Sequence, residues 1–379
     1  MSSQMHSLFE SCVAIPAGEE FTKSITHIPH CKGVVLLADS SDTPILLLTA
    51  ADINRVVLNR LSGGDTTIAT KRVRLGQITS KIYYTCCWCD FGSSLEYYRL
   101  AKQIFPEDYR KIIGLGKVWY VKINFKAKWP GFAVTDNPAG VRQKQIEVFG
   151  PFPNRKSTQD YINALNQAFG LCRQQCLIDD PQKAAGCPYY QMHICKAPCM
   201  GRISRDEYLA MVRNAVEAIG TDRQKTIELL NNRMRELSEQ REFEQAQFAK
   251  NQLEQLKDLD KEIYKWVANL RELAILHIDP GPRVRVKGQK KKAQLYRAYF
   301  IRSGQISEYK DFNIDAVGEM LKFVETESKK AEWPDDTTIT EQLALAAIAL
   351  YRSKPSGIWL DCRKSPPAEE TIRPILQKE

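Results

Sequence analysis

Two apolar runs split by a polar turn, GVVLLADSSDTPILLLTA from Gly33 onward, predict a β-hairpin. In the next stretch, ADINRVVLNRL, Ile53, Val56 and Val57 recur at helical spacing. KIYYTCCWC is rich in aromatic residues and predicts a third strand. SSLEYYRLAKQIF predicts a helix with Ser93 or Ser94 as its cap, and KVWYVKINF and KQIEVFG predict two more strands. Residues 31–148 therefore read as one small α/β domain, preceded by an N-terminal arm, 1–30, without clear periodicity.

The pattern changes at Pro151. STQDYINALNQAFGLC places Tyr161, Leu165 and Phe169 on one helical face, and a cysteine-rich segment follows, so 149–205 forms a second unit. Ser204 and Glu207 make a capping box that starts the next helix hard against Cys199. Within 206–273, Ile227, Leu230, Met234 and Leu237 repeat by threes and fours, as do Ala246, Ala249, Leu253 and Leu256. SEQREFE separates the two runs, and the pair predicts an antiparallel helical hairpin. Residues 274–379 begin with a basic loop, KGQKKK. AQLYRAYFIRSGQISEYKDF then turns at Ser303-Gly304, and a helix, ITEQLALAAIALYRS, and a short strand, GIWLDC, complete a C-terminal α+β region. The fold class expected is α+β multidomain.

Composition narrows this picture. Of 379 residues 43% are apolar, which excludes a disordered chain, and no run of 18 apolar residues predicts a membrane span. The N-terminus lacks the basic and apolar regions of a signal peptide, so a cytoplasmic, reducing setting is expected. Eleven cysteines, an odd number, argue against a closed disulfide framework. The net charge of +9 suits an anionic partner such as DNA or RNA.

The candidate chemistry lies in CLIDDPQKAAGCPYYQMHICKAPC. Its cysteines, Cys176, Cys187, Cys195 and Cys199, are separated by ten, seven and three residues. Four thiolates hold zinc tetrahedrally or an iron–sulfur cluster. None of the gaps is the C-x-x-C knuckle of zinc ribbons, which favours [4Fe–4S]; four buried, unligated thiols fit the same spacing. CCWC at 86–89 lies in a predicted strand where neighbours face opposite ways, which suits core packing. His27, His30 and Cys31 have no fourth ligand close by.

FGPFPNRKSTQDYINALNQAFGLCRQQC…CPYYQMHICKAPCMGRISRDEY resembles a segment of UvrC, the excinuclease subunit of bacterial nucleotide excision repair. The match runs through Phe149, Gly150, Pro151, Cys187, Tyr190, Gln191, Cys195, Ala197, Pro198, Cys199, Gly201, Ile203 and Ser204. The resemblance implies a UvrC/Cho-like excinuclease family member with a [4Fe–4S] cluster on Cys176, Cys187, Cys195 and Cys199. The first gap is one residue short of the family pattern, and Cys172 competes with Cys176 as first ligand; His193 reads as a surface residue. EFEQAQFAKNQLEQL resembles the UVR motif at Phe243, Glu244, Ala246, Gln252 and Leu253, with Lys250 and Asn251 as near substitutions. That implies docking onto a UvrB-like protein through Phe243, Ala246, Lys250 and Leu253.

The region before FGPF is, in UvrC and Cho, a GIY-YIG nuclease that uses tyrosine, arginine and a glutamate holding one Mg²⁺ or Mn²⁺. The order of elements here is similar, but the chemistry is not. The first tyrosine position falls on Val35, the second within Leu46–Thr49, the arginine near Arg55 or Val56 and the glutamate on Ala101. The resemblance thus implies a degenerate GIY-YIG-like domain whose only catalytic candidate is Arg55. Arg55, Arg60, Lys71, Arg72 and Arg74 remain for DNA phosphates. Full UvrC continues into an RNase H-like nuclease, so a second incision centre is expected to be absent. Three readings follow: a repair protein binding DNA, UvrB or both with an inactive nuclease site; an active excision endonuclease using displaced residues, Glu96 with Tyr97 or Tyr98; and a zinc-binding scaffold.

Overall fold

The structure of the protein, a computed structural model, describes residues 2–15, 25–62, 75–174, 187–192, 194–220, 223–285, 292–330 and 333–377. Strands β1 (Ser11–Ala14), β2 (Gly33–Ala38), β3 (Pro44–Ala50) and β4 (Lys81–Cys86) form an antiparallel sheet in the order β1-β4-β2-β3. The predicted hairpin is β2–β3, with Leu37 opposite Leu46. Asp39 shapes its turn by accepting from the amides of Ser41 and Thr43, both at 2.8 Å.

Residues 2–14 are not a loose arm. Helix α1 (Ser2–Leu8) buries Met5, Phe9 follows it into the core, and β1 pairs along β4 with Ser11 opposite Tyr84. Too few apolar positions lie in this stretch to set a period, so its order comes from the sheet edge it covers. Helix α2 (Ile53–Leu61) is capped by Asp52, which accepts from the Arg55 amide at 2.9 Å, and the single turn α3 spans Leu75–Ile78. Helix α4 runs Asp90–Ile104 and starts earlier than Ser93 or Ser94 would allow. Its cap is the Cys89 sulfur, which accepts from the Gly92 amide, while Ser93 and Ser94 hydrogen-bond back to the carbonyls of Cys89 and Asp90. A short α5 (Tyr109–Ile113) follows.

The strands at KVWYVKINF and KQIEVFG leave the first unit. They are β5 (Trp119–Asn124) and β7 (Ile146–Phe152) of a second sheet, ordered β6-β5-β7-β8, with β6 at Ala133–Thr135 and β8 at Ala268–Asn269. On it pack α6 (Arg155–Ala168), capped by Asn154, then the cysteine turns with α7 (Pro188–Gln191), and α8 (Arg205–Glu217), whose Ser204–Glu207 capping box is formed. The expected hairpin is α9 (Gln224–Glu239) and α10 (Phe243–Asp258); helix ends at Asp258, and the chain then turns back to supply β8.

The third sheet is ordered β11-β10-β9-β12, with β9 Ala274–Val284, β10 Ala293–Arg302, β11 Gln305–Phe312 and β12 Ile358–Asp361. Ser303 and Gly304 both have positive φ, so the two-residue turn predicted there matches the twist of its strands. Helices α11 (Val317–Ser328), α12 (Asp336–Leu350) and α13 (Glu369–Leu376) complete the unit. The units are not separate beads: Leu36 and Tyr83 of the first sheet, Tyr120 and Val148 of the second, Ile275 and Tyr299 of the third, and Leu95 of α4 share one buried core. The α+β expectation therefore holds.

The FGPF motif has a packing reason. Phe149 and Phe152 are buried, and a Cβ on Gly150 would stand 2.7 Å from the Tyr120 ring and 3.3 Å from the Trp119 carbonyl oxygen. Gly150→Ala is expected to cost about 1–3 kcal/mol by overpacking, read as a lower unfolding midpoint of the middle unit.

Candidate functional site

The cysteine turns are built by backbone geometry. Helix α6 stops at Gly170, in the left-handed region with φ of +63°, and Cys172 and Arg173 follow at once. The chain returns at Cys187, the cap residue of α7. The amides of Ile194 and Cys195 both donate to the Tyr189 carbonyl, at 2.9 and 3.1 Å, folding the chain back on α7. Ala197 (φ +51°) and Gly201 (φ +68°) bracket a single 3-10 turn, Pro198–Met200, before the cap of α8. These turns send Cys195 and Cys199 inward, to 7% and 6% exposure, while Cys172 and Cys187 are half-buried.

The thiols of Cys172 and Cys195 are interacting neighbours. That interaction lowers the Cys195 thiol against the opposing effect of burial, and the Ala197 amide and the Arg173 guanidinium lower it further. The same interaction, with burial, raises Cys172. Burial pushes Cys199 up, and the nearby Cys195 and Cys187 add to it. Thus Cys172, Cys187, Cys195 and Cys199 lie in one neighbourhood, although no three His, Cys, Asp or Glu among the described residues form a closed metal cage. Cys176 and His193 lie outside the described residues. An all-sulfur donor set suits a soft metal or an iron–sulfur cluster rather than Mg²⁺ or Ca²⁺. Beside it the Arg173 guanidinium sits 5.1 Å from the Tyr189 ring centre, with Nε and Nη2 shielded from solvent and without hydrogen-bond partners. Spacing analysis passes over Arg173, because a lone arginine beside cysteines carries no motif.

The hairpin divides the four proposed docking residues. Ala246 and Leu253 are buried along with Ala249 and Leu256, and Gln252 Nε2 fastens α10 to α6 by donating to the Ala168 carbonyl at 2.8 Å. Phe243 and Lys250 face solvent; Phe243 is 65% exposed and Leu229 on α9, absent from the motif, is 71% exposed. Heptad spacing alone does not separate a face packed at home from a face left open.

The sequence profile of the UvrC/Cho excinuclease middle domain matches residues 118–218, the stretch that carries β5, β7, the cysteine turns and α8. Over that stretch the chain is similar to the UvrC/Cho excinucleases. It is 25% identical over 241 residues to UvrABC system protein C of Methanococcoides burtonii, covering 63% of this chain and 39% of that protein. It is 29% identical over 175 residues to the UvrABC system protein C of Campylobacter jejuni, covering 46% and 27%. With the Clostridium beijerinckii protein of the same name it shares 22% over 245 residues, covering 64% and 35%. The chain thus spans well under half the length of these relatives. No solved structure matches.

Val35 is 1% exposed and Ala101 fully buried, and Leu46–Thr49 lie in β3 as apolar strand with one threonine. Arg55 and Arg60 are exposed on α2, five residues apart and so on different sides of the helix; Lys71, Arg72 and Arg74 lie outside the described residues. The displaced set does not converge. Glu96, raised by burial, pairs with Arg99 at 3.7 Å; Tyr97 Oη donates to the Ile112 carbonyl at 3.3 Å; Tyr98 Oη donates to Glu341 at 2.9 Å. Of the remaining candidates, His30 pairs with Asp52 at 3.0 Å, Cys31 is buried beside Cys86, and Cys87 and Cys89 are core residues. Among the described residues, no helix is long and apolar enough to cross a membrane.

Proposed function

We propose that this protein is a nucleotide excision repair component that holds a [4Fe–4S] cluster in its middle unit and binds DNA, a UvrB-like protein or both. In this reading it does not cut through its first unit. The observation that carries the reading is the shared neighbourhood of Cys172, Cys187, Cys195 and Cys199 within a UvrC/Cho middle-domain sequence. Cys187, Cys195 and Cys199 would hold the cluster together with a thiol from the end of α6 or the segment after it. When bound, such a cluster supplies metal–sulfur bonds that tie the chain on both sides of α7 to the start of α8. The surroundings exclude water: Leu171, Tyr208 and Val212 are buried in the same core as Cys199.

The buried Val35 and Ala101 support the inactive-nuclease reading, since neither accepts a proton nor binds Mg²⁺ or Mn²⁺. Exposed Arg55 and Arg60 offer contacts to DNA phosphates. Anaerobic purification followed by metal and sulfide analysis tests the centre. About four irons and four sulfides per chain support it; a colourless protein with one zinc supports the scaffold reading instead. The docking face has its own test. Phe243→Ala is expected to leave folding within about 0.5 kcal/mol of the wild type, because the ring is exposed, while reducing capture by immobilised UvrB at least about tenfold. Equal capture by both proteins would remove the hairpin from the interface. A plasmid-nicking assay with Mg²⁺ or Mn²⁺ is expected to show no cleavage.

A further inference from the structure

The guanidinium of Arg173 is unusual among the arginines of the described residues. Its Nε and Nη2 are shielded from water and donate to nothing, while Arg205 and Arg223 each donate to a backbone carbonyl. Burying two N–H donors of a charged fork without acceptors is costly, so a group that supplies acceptors there is strongly favoured. The Tyr189 ring, 5.1 Å away, satisfies part of the charge but accepts none of these hydrogen bonds. The chain positions the fork well. Arg173 follows Cys172 directly, Cys172 neighbours Cys195, and Tyr189 belongs to the turn that carries Cys195. The anion that belongs beside it is therefore one formed by these sulfurs.

We infer that Arg173 donates N–H···S hydrogen bonds to the thiolate-held cluster and acts as its counter-charge, setting how readily the cluster accepts an electron. This rests on the iron–sulfur reading above. A tetrathiolate [4Fe–4S] centre carries a net charge of −2 when oxidised and −3 after gaining one electron; no bond to Arg173 forms or breaks. A fixed positive charge and hydrogen bonds to sulfur favour the more negative state. Arg173 is thus a positioning and tuning residue rather than a ligand.

The test compares wild type, Arg173→Gln and Arg173→Lys, purified anaerobically as full chains. They are titrated with dithionite as electron donor, reduction being followed by electron paramagnetic resonance. Arg173→Gln is expected to lower the equilibrium constant for reduction about tenfold, which is about 59 mV for one electron, and Arg173→Lys to fall between. Iron loss to a chelator should also quicken about tenfold in Arg173→Gln. If Arg173 only braces the Tyr189 turn, the metal-free protein melts lower in Arg173→Gln while the potential stays put, and the inference fails with the cluster intact. A wild type that holds no iron and sulfide overturns the cluster reading itself. If Arg173→Gln does not fold, the charge-retaining lysine variant decides by the same potential.

Discussion

Replacing Cys195 and Cys199 together with serine is expected to abolish iron and sulfide binding and to loosen the whole stretch from Cys187 to Ser204. The reason lies in how little else holds that stretch. Its ordered pieces are one turn of α7 and one 3-10 turn, joined by a few backbone hydrogen bonds, and Cys195 and Cys199 are its two buried cysteines. A metal centre on such turns supplies much of their folding free energy, on the order of 10 kcal/mol in small metal-dependent domains. Amide exchange over residues 187–204 should then approach the rate of an open chain, while β5 and β7 stay protected by their own sheet. The single variants sharpen the result. Cys172 neighbours Cys195, so Cys172→Ser is expected to lose the centre and Cys176→Ser to keep it. The reverse outcome, measured as iron per chain, would assign Cys176 as the first ligand.

Glu341 anchors the second large effect. It is 5% exposed on α12, and its carboxylate accepts from Tyr98 Oη at 2.9 Å, Tyr109 Oη at 2.6 Å and Arg110 Nε at 2.8 Å, with Lys102 Nζ at 3.4 Å. Glu341→Ala leaves two tyrosine hydroxyls without their acceptor; the Lys102 and Arg110 head groups are exposed enough to rehydrate. The expected cost is about 3 kcal/mol, or roughly a hundredfold faster amide exchange in α4 and α12. Burial alone would raise this carboxyl, but the hydroxyls of Tyr109 and Tyr98 and the Arg110 guanidinium outweigh it, and it is held below the usual carboxylate range. A group depressed in the folded state stabilises above its unfolded value, about 4.3, and that contribution is lost as pH falls through the folded value. The stability gap between wild type and Glu341→Gln should therefore be full near neutral pH and shrink below about pH 4. A gap independent of pH would mean that the charge of Glu341 is not what matters.

Glu341 also marks what the sequence leaves hidden. ITEQLALAAIALYRS predicts its helix, but as a helix position Glu341 reads as solvent-facing. Its partners lie 231 to 243 residues away, beyond any local period. The same holds for β5 and β7, whose strand character is legible but whose partner β8 comes after the helical hairpin. Locally dictated features are the ones that were readable: the Ser204–Glu207 capping box, the Ser303-Gly304 turn and the spacing of Cys187, Cys195 and Cys199. Cys172 and Arg173 depend on a three-dimensional approach to residues more than a dozen positions away, so spacing offers Cys172 only as a competitor and Arg173 not at all.

The two-residue strand β8 has a practical corollary for dissecting the protein. Ala268 and Asn269 complete the edge of β7, the Leu270 amide donates to the Val148 carbonyl at 2.9 Å, and Tyr264 stacks edge-on against Tyr161. A fragment cut at 218, where the family match stops, would bare that strand edge and invite self-association. Isolating the middle unit in soluble form calls for a boundary beyond Leu270, carrying the hairpin along as part of the same piece.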